Sequence, residues 1–310
     1  MSEQTPTLPP GHSGRMARAR LSLNGLSVGD AFGEQFFRMA NTLLIQFREA
    51  PPGPWEYTDD TAMARSGVDT LQKCGGIDQD QLAKYFATEF ATQPWRGYGA
   101  SMQQLLRRFE AGADWRAAAR SMFGGTGSKG NGSAMRVAPV GAYFAEDSTD
   151  RVVDEAIKSA EVTHTHPEAL AAAAATALAA AWAWNHRNAA ETAASPAMLA
   201  WVAASTPDSI TRERLEMLAG ELWEGELDPL ICTIGNGNSL LAEDTVPLCL
   251  WIAAHHPHSY ENAIWAMIAA GGDADTNCAI VGGIVALATG RAGIPGQWLD
   301  RCEIHSGLAE

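Results

Sequence analysis

Apolar positions along the chain recur at steps of three and four residues, the period of one helical face. The pattern predicts helices over residues 21–40, 80–91, 98–111, 114–121, 150–162, 168–186, 196–204, 210–220, 242–256, 259–270 and 277–290. A further helical run follows Thr61 through Met63, Val68 and Leu71. Long alternating runs of β-branched residues, the mark of half-buried strands, are scarce. No repeat of fixed period occurs. The expected fold class is all-α.

Two of these segments carry more than a period. In Gly25-Leu26-Ser27-Val28-Gly29-Asp30-Ala31-Phe32-Gly33, the small residues would let a second backbone come close. Ala169 to Trp184 is nearly all Ala, Leu, Thr and Trp, bounded by Glu168 and by Asn185-His186-Arg187. It falls short of the roughly 18 apolar residues that argue for a membrane span. A central helix of a soluble helical protein is expected there, because alanine permits close packing of its neighbours. The start, Met1 to Gly14, is polar and proline-containing. Residues 1–18 are expected to form a flexible tail, without a signal-peptide core, and residues 19–310 the domain.

Composition narrows the function classes. The 310 residues, 46% hydrophobic and 19% charged, suffice for a large core and argue against disorder. The formal net charge of −14 argues against a general nucleic-acid binder, since no basic surface is evident to release counterions. A small anion held by backbone amides stays open. Cys74, Cys232, Cys249, Cys278 and Cys302 are scattered, with no CxxC pair. That is neither a disulfide framework nor a zinc ribbon, and points to a reduced, cytoplasmic protein.

The candidate chemistry begins with two acidic stretches. Gly271-Gly272-Asp273-Ala274-Asp275-Thr276-Asn277 leads into the apolar run from Cys278 to Leu287. Tyr57-Thr58-Asp59-Asp60-Thr61 leads into the helical run at Met63. Asp and Thr are good N-caps, and acids suit a helix's first turn, so each stretch could be a cap. Two starts of the same chemistry also suggest that they meet. Converging carboxylates would repel unless divalent cations offset them, and hard oxygen ligands suit Mg²⁺, Mn²⁺ or Ca²⁺. Spacing alone leaves caps and metal site evenly balanced.

Between them lies Phe123-Gly124-Gly125-Thr126-Gly127-Ser128-Lys129-Gly130-Asn131-Gly132-Ser133-Ala134-Met135-Arg136, with five glycines. Such backbone can present several N–H groups to phosphate, or can be a plain surface loop. It is neither a P-loop nor a dinucleotide fingerprint. In Thr163-His164-Thr165-His166-Pro167, the histidines are ligands, a proton-transfer pair, or caps before a proline. The run His255-His256-Pro257-His258 reads as a helix exit and turn.

In order, Gly29-Asp30-Ala31-x-Gly33, Thr58-Asp59-Asp60-Thr61, Gly127-Ser128-x-Gly130-Asn131-Gly132-Ser133-Ala134-Met135-Arg136, Thr163-His164 and Gly271-Gly272-Asp273-x-Asp275-Thr276 resemble the ADP-ribosylglycohydrolase family. That family includes the dinitrogenase reductase-activating glycohydrolases and vertebrate ADP-ribosyl-hydrolases. The match runs from about Leu23 to Cys302, and Gly293-Ile294-Pro295-x-x-Trp298 fits as well. Single motifs of this kind are weak; five in this order are specific.

The resemblance implies a compact single-domain orthogonal helical bundle with two Mg²⁺ (or Mn²⁺) ions. It implies Thr58, Asp59, Asp60, Asp273, Asp275 and Thr276 as metal ligands. Gly127, Ser128, Gly130, Asn131, Gly132 and Ser133 would hold the diphosphate of ADP-ribose. Phe123 would stack on adenine, Met135 would line the substrate site, and His164 would lie near the phosphates or distal ribose. The implied reaction hydrolyses the bond from the distal ribose C1″ to an N or O of a modified protein or nucleic acid, through an oxocarbenium-like transition state. Asp60 or Asp273 would orient or deprotonate the water. Several family members carry a glutamate where this chain has Phe37; Glu34, three residues earlier, is the candidate substitute. Lys129 stands where some members carry an aromatic residue on the adenine side. A non-catalytic ADP-ribose binder, akin to the family's lens crystallins, and a hydrolase of a small nucleotide such as O-acetyl-ADP-ribose are the alternatives.

Overall fold

The computed structural model describes residues 8–188, 195–220 and 227–303. Its helices run, in order, α1 His12–Gly33, α2 Thr42–Phe47, α3 Asp59–Cys74, α4 Gln79–Thr92, α5 Ala100–Glu110, α6 Trp115–Arg120, α7 Ala138–Tyr143 and α8 Thr149–Glu161. Then come α9 Pro167–Asn185, α10 Ser195–Ser205, α11 Ile210–Gly220, α12 Leu227–Ile234, α13 Ala242–His255, α14 Tyr260–Ala270, α15 Ala274–Thr289 and α16 Gly296–Leu299. Two isolated bridges, Trp55 with Cys302 and Gly130 with Leu241, are the extended pairings among the described residues. The chain is one compact all-α domain: the periodicity predicts the all-α class, and the family resemblance the single compact domain.

The pairing of α1 with α15 sets the site. Gly25, Gly29 and Gly33 stand one turn apart on α1 and face α15. A Cβ on Gly29 would lie 2.1 Å from the Cys278 carbonyl oxygen, and one on Gly33 would lie 2.3 Å from that of Ala274. No side chain fits there, so the backbones touch and the N-terminal acids of α15 come beside the C-terminal half of α1. The small-residue run thus does what its composition predicts. On the far side of α15, α9 is buried around nearly its whole girth. No helix among the described residues is long and apolar enough to cross a membrane.

An aromatic cluster closes the other end. Phe32 stacks on Trp298 with ring centroids 4.2 Å apart, and Trp55 and Trp265 meet Phe32 edge-on. Trp55 N–H donates to the Arg301 carbonyl (2.7 Å), and Glu303 N–H to that of Trp55 (2.8 Å). This clasp fixes the segment that leads into Thr58. All five cysteines are free thiols.

The structure departs from expectation in three places. The tail expected at 1–18 ends sooner: α1 begins at His12, and Met16 and Arg18 are buried. Arg18 explains this, since its guanidinium donates to the carbonyls of Ala142 (3.0 Å) and Tyr143 (3.2 Å), which ties the first turns of α1 to α7. Residues 1–7 lie outside the described residues. The helix expected over 21–40 ends at Gly33 and continues as short 3₁₀ turns, Glu34–Phe37 and Met39–Asn41. Four short helices, α2, α7, α12 and α16, carry too few residues to show a period.

Candidate active site

Both acidic stretches are helix starts. Thr58 is the N-cap of α3, and its hydroxyl accepts the Asp60 N–H at 3.3 Å. Asp273 is the N-cap of α15 and makes no side-chain cap bond. The cap reading is therefore correct for Thr58 and insufficient for the acids. Asp59, Asp60, Asp273, Asp275 and Thr276 all line one cavity of about 690 Å³. Burial, and next the charge of Asp275, push the Asp60 carboxyl well above the usual range. Burial and then Asp273 do the same to Asp275. Burial and the charge of Asp30 raise Asp59 to about 8. Asp60 Oδ1 is buried and has no hydrogen-bond partner.

Asp30 holds this arrangement together, although its sequence motif suggests no role for it. It accepts from Thr58 N–H (3.0 Å), Thr58 Oγ1 (2.8 Å), Thr61 N–H (3.1 Å) and Thr61 Oγ1 (2.5 Å). A fully buried carboxylate is costly unless so satisfied. These donors spend both Asp30 oxygens on the first turn of α3, so Asp30 orients that turn and does not face the cavity. Thr58 Oγ1 is also 2.8 Å from Asp60 Oδ2.

The glycine-rich loop forms a second wall of the same cavity and touches the acids through Asn131 and Asp273. The backbone N–H groups of Ser128, Lys129 and Gly132 find no acceptor among the described residues, and all three residues line the cavity. Gly127 has φ +77°, and a Cβ on it would lie 2.1 Å from Thr165 Oγ1. Phe123 stands at the rim, 58% exposed and left-handed with φ 52°. That combination is uncommon for a large side chain and marks a functional position. Burial and the nearby Arg136 push the His164 imidazole down to about 3, so the ring is neutral.

An acid wall beside an amide wall, on this bundle, meets its counterpart among known proteins. The sequence profile of the ADP-ribosylglycohydrolase family matches residues 12–310. This chain belongs to the ADP-ribosylglycohydrolase family. It is 29% identical to ADP-ribosylhydrolase ARH3 of Bos taurus over 93% of this chain and 89% of that protein. The mouse ARH3 is 30% identical over 93% of this chain and 88% of its own. ADP-ribosylarginine hydrolase Tri1 of Serratia proteamaculans is 25% identical, covering 98% of this chain and 81% of that one. A solved structure described as an ADP-ribosylglycohydrolase-related protein complex superposes with a TM-score of 0.65 and 25% identity, covering 94% of both chains. The protein is an enzyme, a hydrolase of ADP-ribose glycosidic bonds.

Within this glycohydrolase, Phe123, Gly127, Ser128, Gly130, Asn131, Gly132, Met135 and His164 line the same cavity as the acids. Asn131 lines it but is engaged: its Nδ2 donates to Asp273 Oδ2 (2.7 Å) and Thr245 Oγ1 (3.1 Å), and its N–H to the Leu240 carbonyl (3.0 Å). It has no donor left for a phosphate. Ser133 does not line the cavity: it is fully buried, and its hydroxyl donates to the Ala169 carbonyl at 3.1 Å. Thr58 is not among the lining residues, but its hydroxyl is 2.8 Å from Asp60 Oδ2, which is. Glu34 is half-buried, and burial followed by the charges of Asp30 and Asp273 raises its pKa, yet it does not line the cavity. Phe37 is 53% exposed and lies outside it too. His166 caps α9, its Nδ1 accepting the Glu168 N–H at 3.1 Å. The helix exit expected at His255 is observed. Lys129 pairs with Glu243 at 2.8 Å. Sequence reasoning missed Gly97, Gly99 and the Ser239-Leu240-Leu241 segment, which complete the rim. The two closely spaced glycines after Arg96 were the available signal.

Proposed function

We propose that this chain hydrolyses the bond between the distal ribose C1″ of an ADP-ribosyl group and an N- or O-linked acceptor on protein or nucleic acid, and releases ADP-ribose. The observation that carries it is what shares one cavity: desolvated carboxylates, with Asp60 Oδ1 partnerless, and a glycine-rich loop with backbone N–H groups that have no acceptor among the described residues.

The donor set fits two Mg²⁺ (or Mn²⁺) ions. All six positions, Thr58, Asp59, Asp60, Asp273, Asp275 and Thr276, offer hard oxygen. Burial and mutual repulsion raise the acids' pKa values, the state an added cation relieves. Among the described residues no three or more His, Cys, Asp or Glu are grouped so as to hold a metal ion by themselves. Threonine and ligand oxygens would therefore have to share each ion. When bound, the cations supply charge compensation and Lewis acidity at the ribose.

The chain's own groups do the rest. Ser128, Lys129 and Gly132 offer N–H groups to the diphosphate, and Phe123 offers a ring face to adenine. Asp273, held by Asn131, and Asp60, whose N–H donates to Thr58 Oγ1, are the carboxylates that we assign to orient a water or take its proton.

The test is release of free ADP-ribose from ADP-ribosyl-arginine, ADP-ribosyl-serine, ADP-ribosylated DNA and O-acetyl-ADP-ribose, each with Mg²⁺, Mn²⁺ or EDTA. Metal-dependent release of ADP-ribose with an intact acceptor is expected. AMP as the product would instead indicate diphosphate cleavage. Binding of ADP-ribose without release from any acceptor would make the protein a non-catalytic reader.

A further inference from the structure

Arg136 is a buried cation with no carboxylate partner among the described residues. Its Nη1 donates to the Gly132 carbonyl (2.7 Å), and its Nη2 to the Ser159 carbonyl (3.0 Å) and to Thr163 Oγ1 (2.8 Å). Its Cζ lies 4.7 Å from the Phe86 ring centre, and its Nε has no partner. Hydrolysis of an ADP-ribosyl bond does not by itself explain why a guanidinium should be spent there.

The hydrogen count in this cluster has one outcome. A guanidinium only donates, so Thr163 Oγ1 is the acceptor in that contact. Thr163 is wholly buried and owns one hydroxyl hydrogen. Its other neighbour is His164 Nδ1, at 2.7 Å. If Nδ1 carried the ring hydrogen, Thr163 would accept twice and its own hydrogen would be buried without a partner, a cost of about 1–3 kcal/mol. The hydroxyl therefore donates to Nδ1, and the ring hydrogen sits on Nε2. That atom faces the glycine loop: a Cβ on Gly132 would lie 3.2 Å from it, and one on Gly130 3.5 Å. Nε2 has no acceptor among the described residues, and the ring lines the cavity.

We infer that Arg136 and Thr163 are positioning residues that lock His164 as the Nε2–H tautomer, making it a fixed hydrogen-bond donor to an anionic oxygen of the ligand. The inference rests on the proposed ADP-ribose site and deepens it. Arg136 acts twice, because the same guanidinium also fastens the Gly132 carbonyl and so holds that loop against His164. His164 is then no base: its one free nitrogen carries a hydrogen. The low basicity of the buried ring keeps it so across neutral pH.

Thr163→Val keeps the side-chain shape and removes the hydroxyl; Thr163→Ser restores it. Imidazole ¹⁵N–¹H correlation spectra, with His164→Gln to assign the signal, read the tautomer in the ligand-free enzyme. Calorimetry with ADP-ribose reads the consequence. The expected result is Nε2–H in the wild type and a mixed tautomer in Thr163→Val. ADP-ribose should bind Thr163→Val about tenfold or more weakly, and Thr163→Ser should recover both properties. A hydrogen on Nδ1 in the wild type overturns the inference. So does wild-type affinity in Thr163→Val, or a folded Thr163→Ser that fails to rescue. If the wild type binds no ADP-ribose, the functional reading fails. The ring tautomer then decides the relay alone, Nε2–H supporting it and Nδ1–H overturning it.

Discussion

On one wall of the cavity, Asp59, Asp60, Asp273 and Asp275 stand together, short of solvent and raised in pKa. On the other, Ser128, Lys129, Gly132 and His164 have donors without an acceptor among the described residues, beside an Asn131 whose donors are all taken. The acid wall resists carrying its full charge, because burial and mutual repulsion raise its carboxyls. The amide wall is neutral and at rest. Each is held by one buried group that stands behind it: Asp30 orders the first turn of α3, and Arg136 orders the glycine loop. A negative residue braces the acid wall, so its net repulsion is greater than the cavity's four acids alone would create. The close backbone packing of α1 on α15 holds the acids of α15 beside α1. In the proposed function, the crowded carboxylates are the place for cations and the unspent N–H groups the place for an anion.

The largest effect should come from breaking the acid wall. Asp275→Asn should lower turnover by about 10²–10⁴-fold, the range that a catalytic acid or base contributes, and ligand-free thermal stability should not fall. Turnover of ADP-ribosylated substrate and circular dichroism melting measure the two. Residual activity within about tenfold of wild type would remove Asp275 from the essential set. Substitution of Lys129, on the other wall, should leave turnover far less changed.

Second, the acid wall alone should make the metal-free fold pH-sensitive. Asp59 is raised to about 8 in the fold from an ordinary value of 3.8, so between those limits the folded state binds more protons than the unfolded chain. Stability then falls as pH rises through that window, and is greatest toward its acid end. In EDTA the melting temperature should decline from about pH 5 to about pH 8. Excess Mg²⁺ should flatten the profile and add roughly 2–3 kcal/mol when it exceeds its dissociation constant about a hundredfold. Equal profiles with and without metal would show that the acids are compensated some other way.

The smallest effect should come from the rim of the amide wall. Phe123→Ala should weaken ADP-ribose binding by about three- to tenfold, the worth of one aromatic contact of roughly 0.5–1.5 kcal/mol, with kcat nearly unchanged. A calorimetric titration that finds no difference would take the ring out of the adenine contact.

Much of this arrangement is legible in the order of residues. The 3.6-residue period locates the long helices, and the repeat of hydroxyl-plus-acid at two helix starts points to a meeting of acids. Short, wholly apolar α7 is not legible, since Pro139 and a length of six residues hide any period. Asn131 reads as a phosphate ligand, because nothing near it in the chain shows that its amide is taken by Asp273, 142 residues away. Asp30 shows the same limit: an acid inside an apolar helix announces a buried partner without saying which.

By itself, then, the sequence determined the helices, the small-residue seam on α1, the identity of the donor groups and the family they resemble. Those are properties of neighbours along the chain, set by periodicity, capping and side-chain chemistry. Only the tertiary structure decided which donors remain unspent. A hydrogen can be given once and a lone pair filled once. Whether Asn131, Ser133, Asp30 or His164 faces a ligand therefore depends on partners that folding brings from far away in the chain.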